Sequence, residues 1–130
     1  HPLRILVAED VEINRIIVEA MLSKNGHRIV MVTNGLEAVQ AIEAEDFDVA
    51  ILDIRMPVMS GIEAARRIRM LPGEKGRTPI IALTADVMEQ NREACMAIGI
   101  DAFVAKPIEV DVINGAINEI ASLSRQRSVA

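Results

Sequence analysis

Four apolar stretches of the chain each lead directly into a side chain that can do chemistry. Glu9 and Asp10 follow residues 3–8, Asp53 follows residues 47–52, Thr84 follows residues 79–83 and Lys106 follows residues 102–105. Short apolar runs are typical of strands buried on both faces, and the carboxyl ends of parallel strands share the sheet edge where ligands bind. We therefore expect three carboxylates, a hydroxyl and an ammonium to converge.

This set of groups predicts phosphoryl chemistry. Three carboxylates in contact repel one another and require a cation. Oxygen ligands suit Mg²⁺, and Mn²⁺ or Ca²⁺ are less selective substitutes. A carboxylate beside Mg²⁺ can attack phosphorus, while the metal and the Lys106 ammonium neutralise the phosphoryl oxygens. Asp53 is the candidate acceptor, and the Thr84 hydroxyl can hydrogen-bond the product.

The elements that must position these groups are five strands alternating with five helices. A fifth β-rich run covers residues 28–32. Three helix starts are marked by a capping residue with Glu three positions later: Asn34, Ser60 and Asp86. Alternating strands and amphipathic helices predict an α/β domain with a parallel five-stranded sheet. The spacing does not give the strand order.

Several finer patterns make separate predictions. One face of the first helix carries Ile13, Ile16, Ile17, Ala20 and Met21. Residues 71–78 have the composition of a polar loop. Periodicity is lost from Ser122 onward, so we expect the domain to cover residues 3–123 and a tail or linker to follow at 124–130. We expect His27 and the cluster 66–69 of three arginines to be plain surface, and Cys95 to be core.

Composition excludes several other classes of protein. At 130 residues the chain predicts one domain, and Phe47 and Phe103 are its only aromatic residues, so the core must be aliphatic.

A net charge of −5 argues against direct contact with nucleic acid. A single cysteine fits a reducing, cytoplasmic location. No apolar run approaches the roughly 20 residues that span a bilayer. The absence of an initiator Met leads us to expect a segment of a longer protein.

The ordered motifs resemble the receiver domain of response regulators. The match runs from Leu3 to about Leu123 and rests on four stretches: Val7-Ala8-Glu9-Asp10, Asp53 with Met56-Pro57 and Gly61, Ala82-Leu83-Thr84-Ala85, and Lys106-Pro107. Each motif is weak alone, and each of its polar residues has a plain structural explanation as a cap or a surface group. All four in order at strand ends are highly specific.

The resemblance implies a (βα)5 flavodoxin-like three-layer sandwich of strand order 2-1-3-4-5, with a cis Lys106–Pro107 bond. It implies Mg²⁺-dependent, self-catalysed transfer of a phosphoryl group to Asp53 from the phosphohistidine of a histidine kinase or phosphotransfer domain. Asp10, Asp53 and the Arg55 carbonyl would bind the metal, with Glu9 acting mainly through water. Lys106 would contact the phosphoryl group. Thr84 would be the switch hydroxyl, and Phe103 is either its aromatic partner or a core residue.

The residues in and around these motifs are most similar to those of receivers fused to hybrid sensor histidine kinases. Asn14-Arg15, Ile80 to Ala85 and Gly99-Ile100-Asp101 carry that similarity, so the parent is expected to be a histidine kinase, cytoplasmic or tethered to a membrane. Val11 replaces the usual Asn and Ser60 a common Asp. The first helix and the loop after the last strand are expected to meet the phosphodonor. Whether a weak homodimer forms through the face between Val87 and Leu123 is left open.

Four other functions compete with this interpretation. A stand-alone single-domain response regulator has the same motifs. A haloacid-dehalogenase-like phosphatase places an acid two residues after its nucleophile, where this chain has Arg55. A flavodoxin-type nucleotide binder needs a phosphate loop where Glu9 and Asp10 stand, and the chain lacks Tyr and Trp. A degenerate receiver that only binds a partner is disfavoured by the intact Asp53, Thr84 and Lys106.

Overall fold

A computed structural model of the protein describes residues 2–85 and 89–129. Within these ranges one parallel sheet has the strand order β2-β1-β3-β4-β5, which confirms the predicted topology. The strands are β1 (Arg4–Ala8), β2 (Arg28–Val32), β3 (Val49–Asp53), β4 (Ile80–Thr84) and β5 (Ala102–Ala105). The helices are α1 (Glu12–Ser23), α2 (Gly35–Ala44), α3 (Gly61–Arg69), α4 (Glu89–Ile98) and α5 (Val110–Val129).

Alternating residues of the central strands separate two hydrophobic cores. Leu6, Ala50 and Leu52 face one core, which is completed by α2, α3 and the buried Cys95 of α4. Their neighbours Ile5 and Ile51 face the other core, which is completed by α1 and α5. The sheet is thus covered on both faces, as the near-continuous apolar strands require, and the three-layer sandwich is confirmed.

The helix caps follow the sequence pattern. The side chain of Asn34 accepts a hydrogen bond from the Glu37 amide at 2.9 Å, and that of Ser60 accepts from the Glu63 amide at 3.2 Å. These bonds satisfy amides at each helix start that have no partner within the helix. The third predicted start, at Asp86, and the neighbouring Val87 lie outside the described residues.

The first helix presents a different face to the sheet from the one that the apolar stripe suggests. Ile13, Ile16 and Ile17 are 58%, 55% and 41% exposed, whereas Val18 and Leu22 are fully buried. The helix therefore has two apolar faces, and periodicity alone does not say which one packs on the sheet.

Two segment boundaries also differ from the sequence pattern. The polar stretch 71–78 contains a 3₁₀ helix at Gly73–Arg77. Helix α5 continues to Val129 with no break at residue 123. The segment after residue 121 lacks both Gly and Pro, so backbone helicity persists after the apolar stripe has ended. The boundary of the functional domain at residue 123 stays a prediction.

Arg69 is not a solvated surface residue, contrary to the sequence prediction. Its side chain is only 21% exposed and donates hydrogen bonds to the carbonyls of Gly76, Thr78 and Gly99 at 2.7–3.2 Å. It also donates to the carboxylate of Asp101 at 3.1 Å, which in turn accepts from the Ile80 amide at 2.9 Å. Arg69 thus joins α3 to the loops that precede β4 and β5.

Arg66 and Arg67 do lie on the solvated face, each paired with Glu63. His27 has a partner that the sequence does not reveal, because its Nδ1 accepts a hydrogen bond from the Leu3 amide at 3.0 Å.

Candidate functional site

The parallel register brings the predicted chemical residues to one edge of the sheet. Ala8 of β1 pairs with Leu52 of β3, and Asp53 pairs with Leu83 of β4. Thr84 pairs with Ala105 of β5, next to Lys106. The strand ends surround an open cleft of about 440 Å³, and the residues that line it are Asp10, Val11, Asp53, Ile54, Arg55, Thr84, Ala85 and Lys106. The convergence expected from the sequence is therefore present.

Asp53 lies at the centre of this cleft, and its carboxylate is held at both oxygens. Oδ1 accepts a hydrogen bond from the Arg55 amide at 3.1 Å, and Oδ2 accepts one from the Lys106 ammonium at 2.5 Å. The residue is 5% exposed. It is thus fixed in orientation but remains accessible from the cleft.

The backbone beneath Asp53 is packed against Gly61, the first residue of α3. A Cβ built at position 61 would overlap the carbonyl oxygen of Asp53, and the Gly61 amide donates to the Ile54 carbonyl at 2.9 Å. Only glycine lets α3 begin this close to the strand end.

The loop between these two points is strained at one residue. Val58 has a φ of +67°, and the Met59 amide donates to the Pro57 carbonyl at 2.6 Å. This is a γ-turn with a β-branched residue in the left-handed region, which is rare. The sequence gives no sign of it.

The acid pair after β1 is divided between the interior and the cleft. Glu9 is fully buried, and its Oε2 accepts a hydrogen bond from the Val11 amide at 3.1 Å. Asp10 is exposed and lines the cleft. One carboxylate oxygen from each of Glu9, Asp10 and Asp53 lies within 4.8 Å of the others.

Lys106 provides the positive charge among these acids. Its Nζ lies 3.0 Å from Glu9 Oε1 and 2.5 Å from Asp53 Oδ2. Burial by itself lowers the pKa of Lys106, but the hydrogen bonds and negative charges of Asp53 and Glu9 outweigh burial, so the net pKa is raised. One ammonium faces three carboxylates, which leaves the cluster with excess negative charge. The Lys106–Pro107 bond is cis, as the resemblance implies.

The residues present fit a divalent cation. All the grouped ligand atoms are carboxylate oxygens, which suit Mg²⁺. Glu9 Oε1 is buried, and its partner in the described ranges is the Lys106 ammonium, which also contacts Asp53. Because one ammonium is shared by two buried carboxylates and Asp10 lies beside them, the cluster keeps negative charge that a divalent cation would compensate.

The remaining predicted residues are placed as follows. Thr84 is 8% exposed and lines the cleft, and its carbonyl accepts from the Lys106 amide at 2.8 Å. Arg55 lines the cleft two positions after Asp53, with no acid in the place that a haloacid-dehalogenase-like phosphatase requires. Phe103 pairs in register with Ala82 and packs against the core beneath α2, α3 and α4, so it does not line the cleft.

An exposed apolar surface adjoins the cleft. It consists of Val11, Ile13, Ile16 and Ile17, which are between 41% and 58% exposed. A groove of about 120 Å³ continues this surface and is lined by Asn14, Ile17, Lys106, Pro107 and Ile108. Large contiguous apolar patches on a protein surface mark sites that bind a partner. We call the four exposed residues Val11, Ile13, Ile16 and Ile17 the α1 surface.

Comparison with known proteins identifies the family. The response regulator receiver domain family matches residues 5–118, so the chain belongs to that family. A hybrid signal transduction histidine kinase, kinase G of Dictyostelium discoideum, is 38% identical over 124 residues, which are 94% of this chain and 4% of that kinase. The chain is thus a receiver domain of two-component phosphorelay signalling, homologous to receiver domains of hybrid histidine kinases, and corresponds to a small part of such relatives.

Two solved structures extend the comparison. The receiver domain of a sensor histidine kinase from Pseudomonas aeruginosa, with a magnesium ion coordinated in its active-site cleft, is 35% identical with a TM-score of 0.85 over 94% of this chain and 99% of that one. The Saccharomyces cerevisiae receiver domain of Ssk1, solved with the histidine phosphotransfer protein Ypd1, is 27% identical with a TM-score of 0.86 over 95% and 91%.

The described residues contain no helix both long enough and apolar enough to cross a membrane.

Proposed function

We propose that Asp53 accepts a phosphoryl group from a phosphohistidine. A carboxylate oxygen of Asp53 forms a bond to phosphorus, the phosphorus–nitrogen bond breaks, and its electron pair stays on the imidazole that leaves. The observation that carries this proposal is the position of Asp53, which lies between a partly buried ammonium and two further acids at an open cleft.

Asp10, Asp53 and the backbone carbonyl of Arg55 would hold Mg²⁺, and Glu9 would act through water. When bound, the ion neutralises phosphoryl oxygens and orients them for in-line transfer. Mn²⁺ and Ca²⁺ share the preference for oxygen ligands, so we expect them to substitute with lower selectivity. Lys106 stays close to Asp53 and contacts a second phosphoryl oxygen.

Thr84 and Lys106 would convert the modification into a change of shape. A phosphoryl group on Asp53 adds negative charge and acceptor oxygens, and the arrangement that brings the Thr84 hydroxyl and the Lys106 ammonium to them is favoured. Phe103 packs in the core behind β4 and β5 and would adjust its rotamer when Thr84 moves inward. This role for Phe103 is secondary to its role in packing.

The proposed partner is the phosphohistidine-bearing domain of a histidine kinase or a phosphotransfer protein. The α1 surface supports this assignment because it is apolar, exposed and continuous with the rim of the cleft at Lys106 and Pro107. A partner docked there can bring an imidazole to Asp53. The Ssk1 receiver, which this chain resembles, was solved with such a phosphotransfer protein.

The parent protein is proposed to be a cytoplasmic or membrane-tethered hybrid histidine kinase. Self-association would use the face between Val87 and Leu123. Val110 and Val112, which are 41% and 48% exposed on α5, belong to the described part of that face. Sedimentation velocity with and without phosphorylation tests this expectation, and a monomer in both states would end it.

Intact-protein mass after incubation with acetyl phosphate or phosphoramidate tests the main proposal. We expect a gain of one phosphoryl group with Mg²⁺, none with EDTA, and none in Asp53→Asn with Mg²⁺. Circular dichroism of Asp53→Asn serves as the control for folding. Undiminished labelling of that variant would remove Asp53 from the role.

Thr84→Ala tests the switch separately. It should still take up the phosphoryl group but lose most of the conformational response, measured as amide-hydrogen exchange in α4 and β5. A full response in the phosphorylated variant would contradict the role of Thr84.

A further inference from the structure

Arg15 makes a contact that the proposed chemistry does not use. It lies in the first turn of α1, is half-buried, and its Nη1 donates a hydrogen bond to the backbone carbonyl of Glu9 at 2.9 Å. The contact crosses the loop between β1 and α1, which carries the acid pair. A guanidinium donor makes this bond stronger than one between two neutral groups.

The other polar groups of Glu9 have their own partners. Its amide donates to the Val32 carbonyl of the neighbouring strand at 3.1 Å, and Oε2 accepts from the Val11 amide at 3.1 Å. Oε1 forms the ion pair with Lys106. Arg15 supplies the hydrogen bond to the one remaining group, the carbonyl. That carbonyl belongs to the peptide unit that connects Glu9 to Asp10, so Arg15 fixes the plane of this peptide.

The Asp10 carboxylate depends on the orientation of this peptide more than the Asp53 carboxylate depends on its own backbone. Within residues 2–85 and 89–129, no hydrogen bond or ion pair holds the Asp10 carboxylate, which is exposed at the rim of the cleft. Asp53, by contrast, is held through both oxygens. The Asp10 side chain can rotate about its own bonds, so the structure fixes its position through the backbone, and Arg15 holds the peptide that precedes it.

Arg15 also lies near an acidic residue of α2. Hydrogen bonds from the amide and hydroxyl of Thr33 lower the pKa of Glu37, and the nearby charge of Arg15 lowers it slightly further. This attraction is weak beside the hydrogen bond of Arg15 to the Glu9 carbonyl.

We propose that Arg15 is a positioning residue for the metal site: by holding the Glu9–Asp10 peptide, it aims the Asp10 carboxylate at the ion. This inference rests on the proposed function, in which Asp10 binds Mg²⁺. Groups that orient metal ligands typically contribute a factor of about ten or more to metal affinity. The direct electrostatic effect of a nearby cation has the opposite sign, because it repels Mg²⁺. The two effects can therefore be distinguished.

The test is calorimetric titration of Mg²⁺ into the wild type, Arg15→Met and Arg15→Lys, so no activity measurement is involved. Arg15→Met keeps the apolar stem but loses the donor, and we expect its Mg²⁺ affinity to fall by about tenfold. Arg15→Lys keeps a donor, and we expect it to recover part of that loss. Arg66→Met is the matched control, since in the described part of the chain Arg66 pairs with Glu63 of its own helix alone, and it should bind as the wild type does.

Each result has a definite meaning. If Arg15→Met bound Mg²⁺ as tightly as the wild type or more tightly, the inference would be overturned. Arg15 would then have no effect on the ion or would repel it, rather than positioning its ligand. Wild type that binds no Mg²⁺ would overturn the proposed metal site as well, so the two failures are distinguishable. Melting curves without metal establish that each variant is folded. If Arg15→Met is not, Arg15→Ala, a good helix former, takes its place with the same expectation.

Discussion

The Lys106 ammonium lies 2.5 Å from Asp53 Oδ2 and 3.0 Å from Glu9 Oε1, so one cation neutralises two acids that come from different strands. The same ammonium contacts Asp53 Oδ2, and a divalent cation would be attracted to the same oxygen. Lys106 therefore stabilises the metal-free site and opposes metal binding, and these two effects make opposite predictions for its removal.

Lys106→Met should lower the stability of the metal-free protein and increase its affinity for Mg²⁺. Without Lys106, three carboxylates within 4.8 Å of one another lack a counter-charge. A unit charge about 4 Å away is worth at least about 1 kcal/mol, so we expect Mg²⁺ to bind roughly fivefold more tightly. Melting temperatures measured over a range of Mg²⁺ concentrations report both effects. Weaker Mg²⁺ binding by Lys106→Met would show that Lys106 orders the acids rather than competing for them.

Arg69 and Arg66 occupy the last turn of the same helix but should differ greatly in their effect on stability. Arg69→Ala removes the guanidinium donor from three carbonyls and from the carboxylate of Asp101, which keeps the Ile80 amide as a donor. We expect a loss of about 2–4 kcal/mol. Arg66→Ala removes an exposed pair with Glu63, so its effect on stability should be small.

Urea unfolding of both arginine variants provides the measurement, and Arg69→Lys gives an intermediate case. Lysine keeps the charge but cannot reproduce the planar fork of donors. Equal losses for Arg69→Ala and Arg66→Ala would mean that the Arg69 contacts contribute no net stability.

Val58 offers a site where substitution should stabilise the protein. Its side chain is 77% exposed, so little burial is lost, and its φ of +67° is unfavourable for a β-branched residue. Val58→Gly and Val58→Asn should raise the stability by about 0.5–1 kcal/mol once the strain is relieved. Val58→Ala is the matched control, because it shortens the side chain without making positive φ easy, and its gain should be smaller. A drop in melting temperature for Val58→Gly would show that the turn is not strained.

The sequence was sufficient for the parts of the site that depend on strand ends. In a parallel sheet every buried strand delivers its last residue to one edge, so Asp53, Thr84 and Lys106 converge whatever the details of the loops. The strand order itself came from the family resemblance, since alternating strands and helices are compatible with several orders.

Contacts between distant segments were beyond the sequence pattern. Arg69 lies in the last turn of α3 together with the solvated Arg66 and Arg67, so the sequence pattern does not distinguish it from them. The fold brings the Gly99 carbonyl to Arg69. Ile16 belongs to a regular apolar stripe, but Val18 and Leu22 form a second one, and the choice between the two depends on how α1 packs. The γ-turn at Val58 is imposed by its surroundings against the preference of the residue.

The exposed stripe of α1 predicts how phosphoryl transfer depends on the donor. Ile16→Glu places a charge at the centre of the α1 surface, where Ile16 is 55% exposed. We expect the rate of labelling by a phosphorylated histidine phosphotransfer domain, divided by the rate with acetyl phosphate, to fall by about tenfold, since a central apolar contact is worth about 1–2 kcal/mol. Met70→Glu is the control, because Met70 is 79% exposed at the end of α3 and lies outside the α1 surface. An unchanged ratio for Ile16→Glu would place the docking surface elsewhere.

His27 predicts a dependence of stability on pH. Its Nδ1 accepts the Leu3 amide hydrogen, which only the neutral ring can do, and burial lowers the pKa of His27 despite the opposing charge of Asp48. The unfolded chain, in which the histidine pKa is about 6.5, therefore binds this proton more readily than the folded one. The stability from His27 is complete above about pH 6.5 and is lost as the pH falls through the folded pKa. Melting temperatures from pH 8 to pH 5 should therefore decline more steeply for the wild type than for His27→Gln. His1 is present in both proteins and cancels in the comparison, so parallel curves would mean that the contact between His27 and Leu3 contributes nothing to stability.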